Sequence, residues 1–146
     1  MAVEQTTSLM ILPVIYMGVI IGLYELIAIH KDVGGYRGSH WMGHGLHSIV
    51  FVMIALFVTM NTNFVYENLT FIQNIPFIKY PIVFQILVGL ILIIKVHVVS
   101  AAVKRAVGRG LRETWIHSLI VGGLVVAAPY IWPLIQPAVE NFLPGV

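Results

Sequence analysis

The chain has 146 residues, a mean hydropathy of +0.94, 59% hydrophobic residues and only 10% charged residues. A soluble globular domain carries about 25% charged residues, so this composition excludes an ordinary soluble protein and indicates a membrane protein with one compact domain, residues 1–146. The absence of cysteine excludes disulfides, thiolate metal sites and iron–sulfur clusters. The formal net charge of +2 comes from basic residues in two loops, which does not indicate nucleic-acid binding.

Four segments are apolar over about 20 residues, the length that a membrane-spanning helix needs. In chain order the predicted helices cover residues 9–29, 41–60, 81–103 and 115–135. The first follows an N-terminus with Glu4 and no basic residue, so we expect a retained helix and not a cleaved signal. The tail, IWPLIQPAVENFLPGV, contains three prolines: Pro133, Pro137 and Pro144. They predict that the last helix kinks or ends near Trp132.

The second connection, NTNFVYENLTFIQNIPFIKY, is long and rich in aromatic residues. The aromatic side chains are Phe64, Tyr66, Phe71 and Phe77. Aromatic residues are enriched where the hydrocarbon of a membrane meets water. We therefore expect this segment to lie in the membrane interface and not to form a free loop.

The distribution of basic residues predicts the topology. Six of the eight lysines and arginines flank the first and third connections: Lys31, Arg37, Lys104, Arg105, Arg109 and Arg112. The second connection has only Lys79. The positive-inside rule then puts the two basic loops in the cytoplasm and both termini on the non-cytoplasmic side. The expected fold is an all-α, multi-pass integral protein of the cell membrane, with four transmembrane helices in an antiparallel bundle.

Ionisable side chains cluster near the cytoplasmic ends of these helices. Five of them lie within about two turns of one interface: Glu25, His44, His47, His97 and His117. A buried ionisable group in lipid costs several kcal/mol unless it faces the interior and finds a partner there. Imidazole binds zinc, copper and iron, and a carboxylate can complete or orient such a site. These five residues are therefore candidate ligands for copper, zinc, iron or haem iron.

The same histidines have a simpler interpretation. Histidines near helix ends are often hydrated in the interface, or hydrogen-bond between helices and hold a bundle together. The spacing of His40, His44 and His47 puts all three on one face of the second helix, but it matches no defined zinc or haem motif. The sequence therefore leaves both interpretations open.

Small residues predict close helix contacts. Gly18 and Gly22 form a GxxxG motif in the first helix, and Ser118, Gly122, Gly123 and Ala127 give the fourth helix a similar face. Packing within the chain is favoured over contact with another subunit. On the third helix, Lys95 lies about 200° around the axis from His97, so the two side chains cannot both point inward.

The size of the chain, its helix count and the segment HKDVGGYRGSHWMGHGLH resemble the small four-helix accessory subunits of archaeal ammonia monooxygenase. This resemblance implies a chain that packs beside copper-containing membrane subunits, and it assigns a role to no individual residue. The residues themselves favour a structural or accessory subunit whose partners are larger integral membrane subunits and the lipid bilayer. We expect such a chain not to be catalytic by itself, and the resemblance implies that its complex is an oxidoreductase.

Two alternatives stand beside this interpretation. The first is a metal- or haem-binding membrane redox protein that uses the histidine cluster at the cytoplasmic side. The second is a small homo-oligomeric channel or carrier, which is disfavoured because no predicted helix is interrupted at the midplane.

Overall fold

The computed structural model describes the backbone of residues 9–33, 41–107 and 115–142, and side chains within 9–28, 46–98 and 115–141. Over these ranges the chain is helical and contains no strand, so the all-α prediction is confirmed. In chain order the helices are α1 (Ile11–Val33), α2 (Trp41–Met60), α3 (Thr62–Asn68), α4 (Thr70–Gln73), α5 (Pro81–Val107) and α6 (Trp115–Phe142).

Three of these helices are long and apolar enough to cross a membrane by themselves. Their apolar segments are Ile11–Ala28 in α1, Pro81–Val98 in α5 and Trp115–Asn141 in α6. A fourth candidate is α2 taken together with α3, and the chain bends by 83° between these two helices. The described residues therefore contain three or four candidate membrane-spanning helices, which is consistent with an all-α membrane protein.

The helices match the predicted segments, but three of them are longer. α2 has the predicted bounds, whereas α1, α5 and α6 continue four to seven residues past their predicted ends. α6 does not end near Trp132, because it runs to Phe142 with Pro129, Pro133 and Pro137 inside it. A proline removes one backbone hydrogen bond, which a helix tolerates when another group can bond the freed carbonyl.

The core lies where α2 meets the other three long helices. α2 packs against α1, α5 and α6, and α1 also contacts α6. The fully buried apolar residues come from all four helices: Ile21, Val52, Leu56, Val96, Val121 and Val125. The opposite faces are apolar and exposed; Ile20 and Ile94, for example, leave 55% and 58% of their surface open. Such faces need an apolar solvent or a partner, which agrees with a position in lipid.

Two glycines of α1 allow its close contact with α2. In α1, Gly18 and Gly22 lie against Met53 and Ile49 of α2, and a Cβ on Gly22 would stand 3.2 Å from Ile49 Cγ1. A Cβ on Gly18 would overlap the sulfur of Met53. The GxxxG motif is therefore used for packing within the chain, the favoured of the two expectations.

The connection between α2 and α5 is folded. Val65, Tyr66 and Ile72 form a small buried cluster with Phe84 at the start of α5. Tyr66 Oη donates a hydrogen bond of 2.5 Å to the carbonyl oxygen of Ile78, which closes the segment onto itself. Two of the four aromatic residues noted in the sequence point outward, since Phe71 is 62% exposed and Phe77 74%. This segment is thus not a free loop.

Candidate functional site

One ion pair joins the later part of α1 to the first turn of α6. Glu25 is completely buried, and its Oε2 lies 2.8 Å from Nε2 of His117. The His117 side chain is 11% exposed, and its ring packs at 5.4 Å from the ring of Tyr24. Glu25 Oε2 and His117 Nε2 are within ion-pair distance, but their geometry is not that of an aligned hydrogen bond. The other carboxylate oxygen, Glu25 Oε1, accepts no hydrogen bond from a described group. A carboxylate in such a place is stable only beside a partner, so the pair ties α1 to α6.

A stacked pair of rings lies at the junction of α5 and α6. His97, half-buried on α5, stacks on Trp115 at the start of α6, with ring centroids 3.9 Å apart and planes 10° apart. Its Nδ1 is buried and has no hydrogen-bond partner among the described residues, and the same holds for the hydroxyl of Ser118. His97 therefore packs as a flat ring against its neighbouring helix.

Two polar side chains lie on the exposed face between α2 and α5. His47 is exposed, and its ring meets the ring of Phe51 edge-on at 4.8 Å. Lys95 is also exposed, and its Nζ lies 4.7 Å from the centre of the same ring. Lys95 and His97 thus point to different sides of α5, as their spacing predicts.

The structure brings together two of the five candidate metal ligands, Glu25 and His117. His47 and His97 instead pack on two different aromatic rings. The described side chains contain no group of three His, Asp or Glu residues that could hold a metal ion. Several relevant side chains lie outside the described ranges: His30, His40, His44 and Glu113. A metal site usually needs three protein ligands or more, so a metal at this end of the helices stays a prediction.

Sequence reasoning missed a second polar site, which lies where α2 ends and α3 begins. A break in a helix leaves carbonyl groups without their usual donors, and in lipid these must find other donors. Thr62 Oγ1 lies 2.8 Å from the carbonyl oxygen of Thr59, and Asn61 Nδ2 donates to that of Phe57 at 3.0 Å. The Oδ1 of Asn61 accepts a bond of 2.7 Å from the amide of Met10. The break is therefore covered by side chains of its own turn and by the start of α1.

Gln85 joins α5 to this break. It is 5% exposed, and its Nε2 donates to the carbonyl oxygen of Thr59 at 3.2 Å and to Thr62 Oγ1 at 3.1 Å. Its Oε1 accepts a bond of 2.8 Å from Tyr130 Oη on α6. One glutamine thus connects three helices at the same level.

Pro129 explains the last bond of this network. Because it has no N–H, the carbonyl of Val125, four residues earlier, lacks its usual donor in α6. Thr59 Oγ1 of α2 lies 3.3 Å from this carbonyl oxygen and 3.2 Å from that of Leu56 in its own helix. A glutamine in an otherwise apolar helix and a proline in the middle of another were the sequence signals for this network.

Comparison of the chain with protein families, with curated proteins and with solved structures finds no match.

Proposed function

We propose that this chain is a small structural subunit of a larger integral membrane complex. One observation carries the proposal: two buried polar side chains of the described spans, those of Glu25 and Gln85, contact other helices of the same chain. Glu25 is held by His117, and Gln85 by Tyr130 and the α2–α3 break. A carrier or an enzyme would aim such groups at a cleft or a path for its substrate. Here they fix the arrangement of the helices, and the chain is not catalytic by itself.

The arrangement that goes with this function is an antiparallel bundle in the cell membrane. Three contacts support it. The start of α1 meets the end of α2 through Met10 and Asn61, and Gly22, later in α1, lies against Ile49, early in α2. The pair of Glu25 and His117 likewise joins a late position of α1 to an early position of α6. With the basic loops in the cytoplasm, both termini are on the other side.

The complex is a membrane metallo-monooxygenase in this proposal. Its support is the resemblance of the segment HKDVGGYRGSHWMGHGLH, the size and the helix count to accessory subunits of archaeal ammonia monooxygenase. The partners are then larger integral membrane subunits that hold the catalytic metal, and the apolar outer faces of α5 and α6 are available to them.

Isolation of the chain from its native membrane tests this function. The membrane is dissolved in a mild detergent, and the complex is separated by native electrophoresis and identified by mass spectrometry. We expect the chain to migrate with larger integral membrane proteins in a fixed ratio. Migration as a single chain, or only with copies of itself, would overturn the proposal. Substitution of Gly18 or Gly22 is unsuitable for this test, because both glycines face α2 and not a partner.

A metal site is the second candidate function, and the buried pair of Glu25 and His117 favours it. A histidine and a carboxylate whose second oxygen has no described donor are two ligands of a site that His44 and His97 would complete. The test is the metal-to-protein ratio and the optical spectrum of the complex, purified without chelator. Glu25→Gln, and His44→Ala with His97→Ala, should each lower metal content at least tenfold. Glu140→Gln, at an exposed carboxylate, should not change it; equal metal in all variants excludes the site.

A further inference from the structure

Lys95 is a cation on the outer surface of a membrane-spanning helix. It lies within the apolar segment Pro81–Val98 of α5, and its side chain is exposed. No carboxylate of the described residues lies within ion-pair distance of it, and its described contact is the ring of Phe51. An aromatic ring compensates a desolvated cation only in part, and a charge in lipid is costly without a counter-charge.

Lys95 also lies deep in the span. It is 14 residues from Pro81, which is about 21 Å along the helix. Lys79 and Tyr80, a cation and an interfacial aromatic residue, mark the membrane surface at that end. In a hydrocarbon layer about 30 Å thick, the backbone of Lys95 then lies about 9 Å from the membrane surface opposite Pro81. Its Nζ lies over the ring of Phe51, which is one turn further along α2 than His47, so the described contact of this cation is an aromatic ring and not a carboxylate.

The surface around Lys95 is shaped to hold another element. A groove of about 360 Å³ runs between α2 and α5, and its walls are almost entirely apolar. Its lining includes Phe51, Ile54, Val58, Val88 and Ile91, with Lys95 at the edge. His47 packs on the other side of this face, against the same Phe51 ring, and supplies a further N–H donor.

We propose that this groove binds a transmembrane helix of a different subunit, and that this helix carries an aspartate or glutamate which pairs with Lys95. The inference rests on the proposed function and names the chemistry of one partner. A carboxylate on a helix can sit at the depth of Lys95, whereas a lipid phosphate would have to sink into the hydrocarbon. An apolar helix surface with one carboxylate complements an apolar groove with one cation in both shape and charge.

The described side chains of a second copy do not offer the carboxylate. Among the described side chains, Glu25 is buried in its own pair, and Glu67 lies in α3 beyond the break. Glu140 lies near the end of α6, beside Leu9 at the start of α1. Neither Glu67 nor Glu140 lies at the depth of Lys95, so the described part of a second copy does not supply this carboxylate, and the proposed partner is a different chain.

The experiment uses the full chain in its native complex, with Lys95→Met, Lys95→Arg and Lys79→Met as a matched control. Lys79 is exposed and lies outside the span. We expect Lys95→Met to reduce the fraction of chain that migrates with the complex at least tenfold, while Lys95→Arg and Lys79→Met leave it unchanged. Far-UV circular dichroism and the unfolding midpoint of Lys95→Met should equal those of the native chain, because Lys95 is exposed.

A photo-crosslinking amino acid at Ile91 identifies the partner without altering Lys95, and the same group at Ile120 on α6 is the control. Ile91 is 60% exposed in the groove, and Ile120 is 42% exposed elsewhere. The Ile91 adduct should map to an apolar segment of another protein with an Asp or Glu near its middle. Exchange of the two charges, Lys95→Glu with the partner's carboxylate changed to lysine, should then restore assembly.

Three results overturn this inference: undiminished co-migration of Lys95→Met, an Ile91 adduct to a second copy of the chain, or adducts to lipid alone. If the native chain itself migrates without larger partners, the proposed function fails, and this inference fails with it. If the native chain assembles and Lys95→Met assembles equally well, only this inference fails.

Discussion

The hydroxyl of Thr59 in α2 lies 3.3 Å from the carbonyl oxygen of Val125 in α6. That carbonyl lacks its usual donor in its own helix, because Pro129 stands where the donating N–H would be. A defect in one helix is thereby matched by a side chain of another. Such a match can form only when the two helices have one rotation and one height relative to each other, so it specifies their packing.

We expect Thr59→Val to lower the free energy of unfolding by about 1 kcal/mol, because it leaves a buried carbonyl without a donor. Thr59→Ser, which keeps the hydroxyl, should cost less. Denaturant titration in detergent micelles, followed by far-UV circular dichroism, measures the change. In a Pro129→Ala background the restored N–H can bond Val125, so Thr59→Val should then cost much less. An equal cost in both backgrounds would mean that the hydroxyl serves Leu56 instead.

The contact of α5 with α6 provides a matched pair of neighbouring glycines. A Cβ on Gly122 would overlap Ile93 and stand 3.0 Å from the carbonyl oxygen of Gly89, whereas a Cβ on Gly123 meets nothing within 4 Å. We expect Gly122→Ala to destabilise the chain by about 1–3 kcal/mol through overpacking. Gly123→Ala should be neutral or stabilising by up to about 1 kcal/mol, since alanine favours the helix. Similar unfolding midpoints for both variants would exclude the close contact.

Removal of one member of the buried ion pair should be costly. His117→Leu leaves the carboxyl group of Glu25 buried without its imidazole partner, and we expect a loss of about 3 kcal/mol. Adding Glu25→Gln should recover a large part of it, because the amide carries no charge. His47→Leu, at an exposed histidine, should change stability by less than about 0.5 kcal/mol. If the double variant is no more stable than His117→Leu alone, the cost comes from lost packing of the ring and not from the charge.

Gln85→Leu should loosen the break between α2 and α3. It removes the donor to the carbonyl of Thr59 and the acceptor of Tyr130, so we expect a loss of about 2 kcal/mol. Hydrogen exchange should also rise at the amide of Asn61, which spans the break to Phe57. The control is Gln136→Leu, at an exposed glutamine bonded to Glu140 one turn away. Unchanged exchange at Asn61 would show that the break is held by its own threonines.

The membrane-spanning helices could be predicted because lipid imposes one requirement on about 20 consecutive residues, and that requirement is visible in composition. The ends of the helices could not be predicted in the same way. A helix that extends out of lipid keeps its hydrogen bonds and can continue into polar sequence. α6 shows this most clearly. Its prolines predict a kink or an end near Trp132, and the helix does not end there but continues to Phe142.

The candidate site was predicted less well. The position of a residue along a helix follows from its number, whereas the rotation of that helix about its axis depends on packing against other helices. The sequence puts Glu25 and His117 at one depth, and the structure brings them into contact. It puts His47 at a similar depth, yet this side chain faces outward against Phe51. The spacing of residues along one helix does not show which face of that helix a neighbouring helix will cover. Contacts between helices, such as those of Gly18 and Gly22 with α2, determine which face is covered.

The 83° bend between α2 and α3 has a mechanical consequence. It turns α3 away from the direction of α2, and in the proposed membrane position we expect the exposed rings of Phe71 and Phe77, which follow α3, to anchor this end at one surface. An anchored bundle cannot slide along the bilayer normal. α5 has 27 residues, about 40 Å, against a hydrocarbon layer of about 30 Å. Changes in bilayer thickness are therefore absorbed by tilt, or at the far end of α5 near Val107.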